Sequence, residues 1–363
     1  MTTHVHIIGT GLIGASLGIA LTRAAYAVSL ADQSPTSAAL AQDLGAGRVR
    51  SDNSSAPDVV VVATPPDVTA GIVARALVEW PDAVVTDVAS VKGSVLKALL
   101  DNGSDTTRYV GAHPMAGRER SGVVAARGDL FEGRAWVVAP APDSSAEAVA
   151  AVEALGRAVG AAVIRLDPTA HDAAVAAVSH VPQVAASLVA ARLEGLSDQA
   201  VGLAGQGLRD VTRIAASDPH LWTQILAANA PAVREVLAHL GDDLRDVVAA
   251  LDALIADPDG AAGGARAVLA RSIAAGNAGQ ARIPGKHGGA HTAYEPVVVL
   301  VPDRPGELAR LLHDVGAAGV NLEDLHLEHG MGQPFGLAEI MVVPGAVGQL
   351  TTALEACGWR LHA

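Results

Sequence analysis

Gly9-Thr10-Gly11-Leu12-Ile13-Gly14 is a Gly-x-Gly-x-x-Gly turn. An apolar stretch at 5–8 precedes it and an Ala/Leu-rich stretch to about residue 25 follows, so it reads as the turn between a strand and a helix. In that setting Gly9 permits the tight turn, Gly11 lets the backbone approach a pyrophosphate, and Gly14 lets the helix pack closely on the sheet. The helix start, at Leu12 and Ile13, offers N–H donors and a partial positive charge to phosphates. Asp32 ends the next apolar stretch. Its carboxylate would accept hydrogen bonds from the ribose hydroxyls of a dinucleotide and repel a 2′-phosphate, so NAD is expected rather than NADP.

Two further segments follow strand-like stretches, where open α/β sheets place their ligands. In Asp87-Val88-Ala89-Ser90-Val91-Lys92-Gly93, Ser90 and Lys92 are candidates to touch cofactor or substrate. A helix cap and a solvated lysine would account for them equally well. In Gly111-Ala112-His113-Pro114-Met115-Ala116-Gly117, His113 suits general acid–base work, on a loop restrained by Pro114 and Gly117. A hydrogen-bonded structural histidine is the alternative. The run Arg118-Glu119-Arg120-Ser121-Gly122 either lines the same crevice or is solvated. Further on, Ser179-His180-Val181-Pro182-Gln183 sets polar groups inside an apolar helix, where the fold or a ligand must satisfy them. Arg209 and Arg213 share one helix face, placed to grip a carboxylate or to pair with Asp210. There is no HExxH or Walker A motif, the histidines lack metal-ligand company, and no metal is expected.

These residues need a scaffold, and the hydrophobic pattern supplies one. Strand-like runs at 28–31, 59–63, 84–88, 109–112, 135–139 and 162–166, separated by helix-length segments, predict a doubly wound parallel sheet. This Rossmann-type α/β domain would span residues 1–166. From 167 to 281 no strand-like stretch occurs, and Ala/Leu/Val helices with little polar surface predict an all-α domain that forms a homodimer. Residues 282–293 read as a Gly-rich linker, and 294–363 as β-α-β-β-α-β, a ferredoxin-like α+β unit. Half of the 363 residues are apolar and 17% are charged, enough to fill several cores. The net charge of −13 disfavours nucleic acid or an anionic membrane as partner, but not a small anionic substrate held by local arginines. Cys357 is the only cysteine, so no intrachain disulfide can form. With no basic leader and no 18-residue apolar run read in the sequence, a soluble cytoplasmic protein is expected.

Taken in order, GTGLIG, DVASVKG, GAHPMAGRERSG, SHVPQ and RDVTRIAASDPHLW resemble the prephenate/arogenate dehydrogenase family of tyrosine biosynthesis, over residues 5 to about 230. VPDRPGELARLL and GVNLEDLHLE resemble an ACT domain, a small amino-acid-sensing module. The resemblance implies NAD-dependent oxidative decarboxylation of prephenate to 4-hydroxyphenylpyruvate. It implies that His113 accepts the proton of the ring hydroxyl, and that Ser90 orients His113 or that hydroxyl. Arg213 would hold a substrate carboxylate, and His180 would shape the pocket. Many members have a histidine where this chain has Gln183. A neutral residue there points to prephenate rather than arogenate, which carries an amino group in place of the keto group. In the tail, the implied contacts of an amino-acid effector, expected to be tyrosine, are Asp303, Gly306 and Asn321. Two other classes compete. One is an imine reductase or β-hydroxyacid dehydrogenase, which typically uses a lysine or aspartate of the helical part. The other is a non-catalytic regulator that senses NAD and an amino acid.

Overall fold

A computed structural model describes residues 2–117, 122–257, 263–284, 294–329 and 334–362. The chain divides into two compact units, 1–242 and 243–363. In the first, the β-branched runs become β1 (His4–Ile8), β2 (Ala27–Ala31), β4 (Val59–Val62), β5 (Val84–Asp87), β6 (Tyr109–Pro114), β7 (Ala135–Pro140) and β8 (Ala162–Arg165). A two-residue edge strand, β3 (Arg48–Val49), which the sequence pattern did not reveal, completes a sheet of order β3-β2-β1-β4-β5-β6-β7-β8. Five helices intervene: α1 (Leu12–Arg23), α2 (Pro35–Asp43), α3 (Pro66–Glu79), α4 (Gly93–Asp101) and α5 (Ala146–Ala158). β4 shows why the strands lack alternation. Val59 and Val61 enter one core with Ile7, Leu17 and Trp136, while Val60 and Val62 enter another with Val73, Leu99 and Tyr109.

The sheet departs from the expected all-parallel arrangement at one pair. β7 runs antiparallel to β6, with His113 opposite Val137. Among the described residues, the β6–β7 connection holds only the 3-10 turn Val123–Ala125, not a crossover helix, so the chain returns in the opposite sense.

Beyond β8, α6 (Pro168–Val175), the π turn Ala176–His180 and α7 (Val181–Ala191) join into one helical stretch of 24 residues. Contrary to the sequence reading, it is long and apolar enough to cross a membrane by length and composition alone. Its polar residues His171, His180 and Gln183 are nevertheless buried within the protein. Pro182 has no N–H to give the preceding turn, and the wider π turn falls just before it. α8 (Asp198–Val201), α9 (Gln206–Thr212), α10 (Pro219–Ala228) and the long α11 (Ala230–Ala256) follow.

The second unit contains α12 (Ala265–Gln280) and then β9 (Glu295–Pro302), α13 (Glu307–Ala317), β10 (Asp324–His329), β11 (Phe335–Val342), α14 (Val347–Ala356) and β12 (Arg360–His362). Its four strands form an antiparallel sheet, β10-β11-β9-β12, over a core that includes Val299, Leu311, Ile340 and Leu350. Most of the expected linker, 285–293, lies outside the described residues.

A Cβ at Gly14 would stand 1.9 Å from the Gly9 carbonyl oxygen, so backbone must move to admit it. Gly14→Ala is expected to lower stability by about 1–3 kcal/mol, read as a fall in Tm.

Candidate active site

The glycine turn is held from below and open above. Gly9 has φ +101°, and a Cβ there would meet the Ala63 carbonyl at 2.3 Å. Thr10 donates from N and Oγ1 to Asp32 Oδ2 at 2.7 and 2.9 Å, and Ser34 N donates to Oδ1 at 2.9 Å. Asp32 therefore ties the turn to the end of β2 and keeps acceptor capacity to spare. A Cβ on Gly11 would meet nothing within 4 Å. Gly11 faces a cleft of about 830 Å³ that Gly9, Asp32, Thr64 and Trp80 also line, at the N-terminus of α1 where Leu12 and Ile13 begin the helix. An anionic pyrophosphate fits that opening. His220 and Gln224 of α10 also line it, bonded to each other at 3.1 Å, one turn apart. The sequence reading gave neither a role; their four-residue spacing was the available signal.

The end of β6 rests on a buried polar network. Lys92 Nζ donates to Asp87 Oδ1 and, at 2.6 Å, to the carbonyl of Ala112. Tyr109 donates its hydroxyl proton to Asp87 Oδ2 at 2.7 Å, and Ala89 N donates to Oδ1 at 2.9 Å. Lys92 is 1% exposed, so it is neither solvated nor turned toward a ligand. Burial lowers its pKa while Asp87 pushes it back up. Its work is to fix the carbonyl immediately before His113.

His113 Nδ1 lies 2.9 Å from His171 Nε2, with the rings edge-on. His171 Nδ1 lies 2.8 Å from Asp172 Oδ1. Asp172 in turn accepts from the backbone N–H of Lys92 and of Gly93, both at 2.8 Å. The Ser90 side chain is half-buried in the turn after β5 and makes no hydrogen bond to His113 among the described residues; the ring contacts His171 instead. The adjacent pair His171-Asp172 at the start of an apolar helix was the overlooked signal. Burial holds the His113 pKa well below 6.5, with His171, Lys92 and His180 adding to the effect. His113 is thus neutral at pH 7, and Nε2 has no partner among the described residues.

The helical half holds a second polar cluster. His180 is buried, bonded to Asn229 Nδ2 at 3.1 Å and edge-on to Trp222. Burial lowers its pKa as well. Gln183 Oε1 accepts from Ser217 Oγ at 3.3 Å. Arg213 is exposed, in the 3-10 turn Arg213–Ala215 that packs on α7, and has no ion pair among the described residues. Asp210 accepts from Gln206 at 2.8 Å and pairs with neither arginine. Arg118, Glu119, Arg120 and Ser121 lie outside the described residues.

A glycine-turn cleft suited to a dinucleotide and a neutral, half-buried histidine at the end of β6, on a sheet followed by helices, define a dehydrogenase of the nicotinamide class. The chain matches the family model "Prephenate dehydrogenase, nucleotide-binding domain" over 17–165 and "Prephenate dehydrogenase, dimerization domain" over 167–259. It is 38% identical to the probable prephenate dehydrogenase NovF of Streptomyces niveus, covering 97% of this chain and 98% of that protein. It is 28% identical to the prephenate dehydrogenase of Bacillus subtilis, covering 90% and 88%. Among solved structures, prephenate dehydrogenase from A. aeolicus in complex with hydroxyphenyl propionate and NAD+ superimposes with a TM-score of 0.65 at 28% identity, covering 77% of this chain and 99% of that one. The chain belongs to the prephenate dehydrogenase family.

Removing one member of a buried ion pair leaves the other charge uncompensated. Lys92→Met is expected to cost about 3–5 kcal/mol in denaturant unfolding, and Lys92→Met/Asp87→Asn to recover part of it.

Proposed function

We infer that the chain is an NAD-dependent prephenate dehydrogenase, converting prephenate to 4-hydroxyphenylpyruvate in the cytoplasm. His113 carries the reading: a neutral imidazole, held through Nδ1, with Nε2 free of partners among the described residues. NAD, when bound, would supply the hydride acceptor. His113 Nε2 takes the ring hydroxyl proton as the hydride leaves the carbinol carbon. The C–C bond to the ring carboxylate breaks, carbon dioxide departs, and the electron pair left behind aromatises the ring. The resulting phenolate oxygen takes its proton back from His113, which ends neutral. Aromatisation makes the step effectively irreversible.

Gly9, Gly11, Gly14 and the N–H groups of Leu12 and Ile13 would cradle the pyrophosphate, with Asp32 on the ribose hydroxyls. We assign Ser90 to the substrate hydroxyl rather than to His113. The guanidinium of Arg213 would hold a substrate carboxylate. His180 and Gln183 would line the substrate side. Gln183 is neutral and bonded to Ser217, so it offers no charge to the amino group of arogenate. This supports prephenate.

Residues 1–166, 167–281 and 294–363 would be the three domains, joined at 282–293. α11 exposes Leu240, Leu244, Val248, Leu251 and Ile255, a single apolar stripe that supports a homodimer. The β-α-β-β-α-β order and antiparallel sheet of the tail support a ferredoxin-like ACT domain. Gly306, at φ +91° before α13, opens onto free space, and Asp303 and Asn321 are exposed. Tyrosine is the effector we assign to these three.

NADH absorbance is expected to rise with prephenate, and turnover of arogenate alone would overturn the substrate reading. His113→Asn is expected to lower kcat by about 10²–10⁴-fold with NAD affinity unchanged. Protonation silences the base and burial depresses its pKa, so kcat/KM should hold below pH 6.5 and fall only at lower pH. For the tail, calorimetry on the full chain is expected to show tyrosine binding that Asp303→Ala abolishes. Silence with tyrosine, phenylalanine and tryptophan would remove the effector assignment.

A further inference from the structure

We propose that Asp172 and His171 dictate which nitrogen of His113 carries its proton, making His171 a positioning residue for the base. The proposal rests on the reading of His113 as that base. Two groups in this chain have fixed hydrogen-bonding roles. Backbone N–H can only donate, so Lys92 N and Gly93 N make both oxygens of Asp172 acceptors. The carboxylate also stands at the N-terminus of α4, where the helix field favours a negative charge. The contact is built into the backbone: a Cβ on Gly93 would lie 2.7 Å from Asp172 Oδ2.

An acceptor-only carboxylate obliges His171 Nδ1 to donate across the 2.8 Å contact. His171 is 0% exposed, so water cannot offer an alternative. A neutral imidazole that donates from Nδ1 must accept at Nε2. The partner of that atom is His113 Nδ1, at 2.9 Å. His113 therefore carries its proton on Nδ1 and presents its lone pair on Nε2. Two backbone N–H groups thus propagate, through one carboxylate and one imidazole, into the basicity of the atom facing substrate.

The same chain supports the charged state. When Nε2 takes a proton, the imidazolium keeps its Nδ1–H on His171, which Asp172 backs with a full negative charge. The other ionisable groups around the two rings are Lys92, before α4, and His180, in the π turn. Both, like His171 itself, disfavour a positive charge on His113. Asp172 brings the negative charge of the chain, through its 2.8 Å contact with His171.

The test uses the full-length protein with ¹⁵N-labelled histidine, His113 being assigned by its loss in His113→Asn. At pH 7.5 the wild type is expected to show His113 as the Nδ1–H tautomer. His171→Leu fills the buried volume without an acceptor and should give a mixture of tautomers. It should also lower kcat by about 10–100-fold and move the acid limb of kcat/KM, with KM values within about twofold. His171→Gln, whose Oε1 can accept from Nδ1–H, should restore the tautomer and most of kcat. An Nε2–H tautomer in the wild type overturns the proposal whether or not the variants fold. So does a folded His171→Leu with unchanged spectrum and kcat. Full activity in His113→Asn would instead remove the base reading while leaving the tautomer result standing.

Discussion

One carboxylate joins the two halves of the first unit. Asp172, on α6, caps the backbone at the start of α4, and its own carbonyl accepts from Asn229 Nδ2 at 2.8 Å, just before α11. The turn after β5, the first helix of the all-α region and the junction of its later helices therefore meet at a single residue. The side chain next to it is His171, and through it His113. A shift of α6 relative to the sheet would break the cap and the histidine contact together. Positioning of the His113 ring and packing of the helical half are the same physical event.

Beneath that joint the fold tolerates an expensive arrangement. Asp87, Lys92 and Tyr109 are all withdrawn from water, and desolvation alone would forbid the two charges. They persist because the charges answer each other and their neighbours: the ammonium meets a carboxylate and a carbonyl, and the carboxylate meets an ammonium, a phenol and a backbone N–H. An apolar substitute of equal volume could fill the space, but it could not hold the Ala112 carbonyl. The network thus converts buried charge into a fixed strand end. The same dryness keeps His113 and His180 neutral, which a proton acceptor requires.

The local elements were largely legible. β4 is four consecutive valines, a pattern only a strand covered on both faces sustains. The glycine turn, Asp32 and the end-of-strand position of His113 all follow from residues within a few positions of one another. The antiparallel β7 was not legible, because strand direction depends on how the intervening chain crosses the sheet and not on the strand's own composition. Nor was the π turn, which spreads the polar cluster around His180 by backbone geometry rather than by residue type.

Sequence by itself determined most of the elements, the glycine turn and the family, because side-chain periodicity and glycine stereochemistry act over two to four residues. Tertiary structure alone decided the partners. His113 and His171 are 58 positions apart, and Lys92 and Asp172 are 80 apart. Nothing in either neighbourhood marks the other as its mate. Lys92 could have been a solvated lysine, and His171 one more histidine on an apolar helix. Their roles arise when the sheet and the helices fold against each other and water is excluded from the seam, since only there must each buried donor find a particular acceptor.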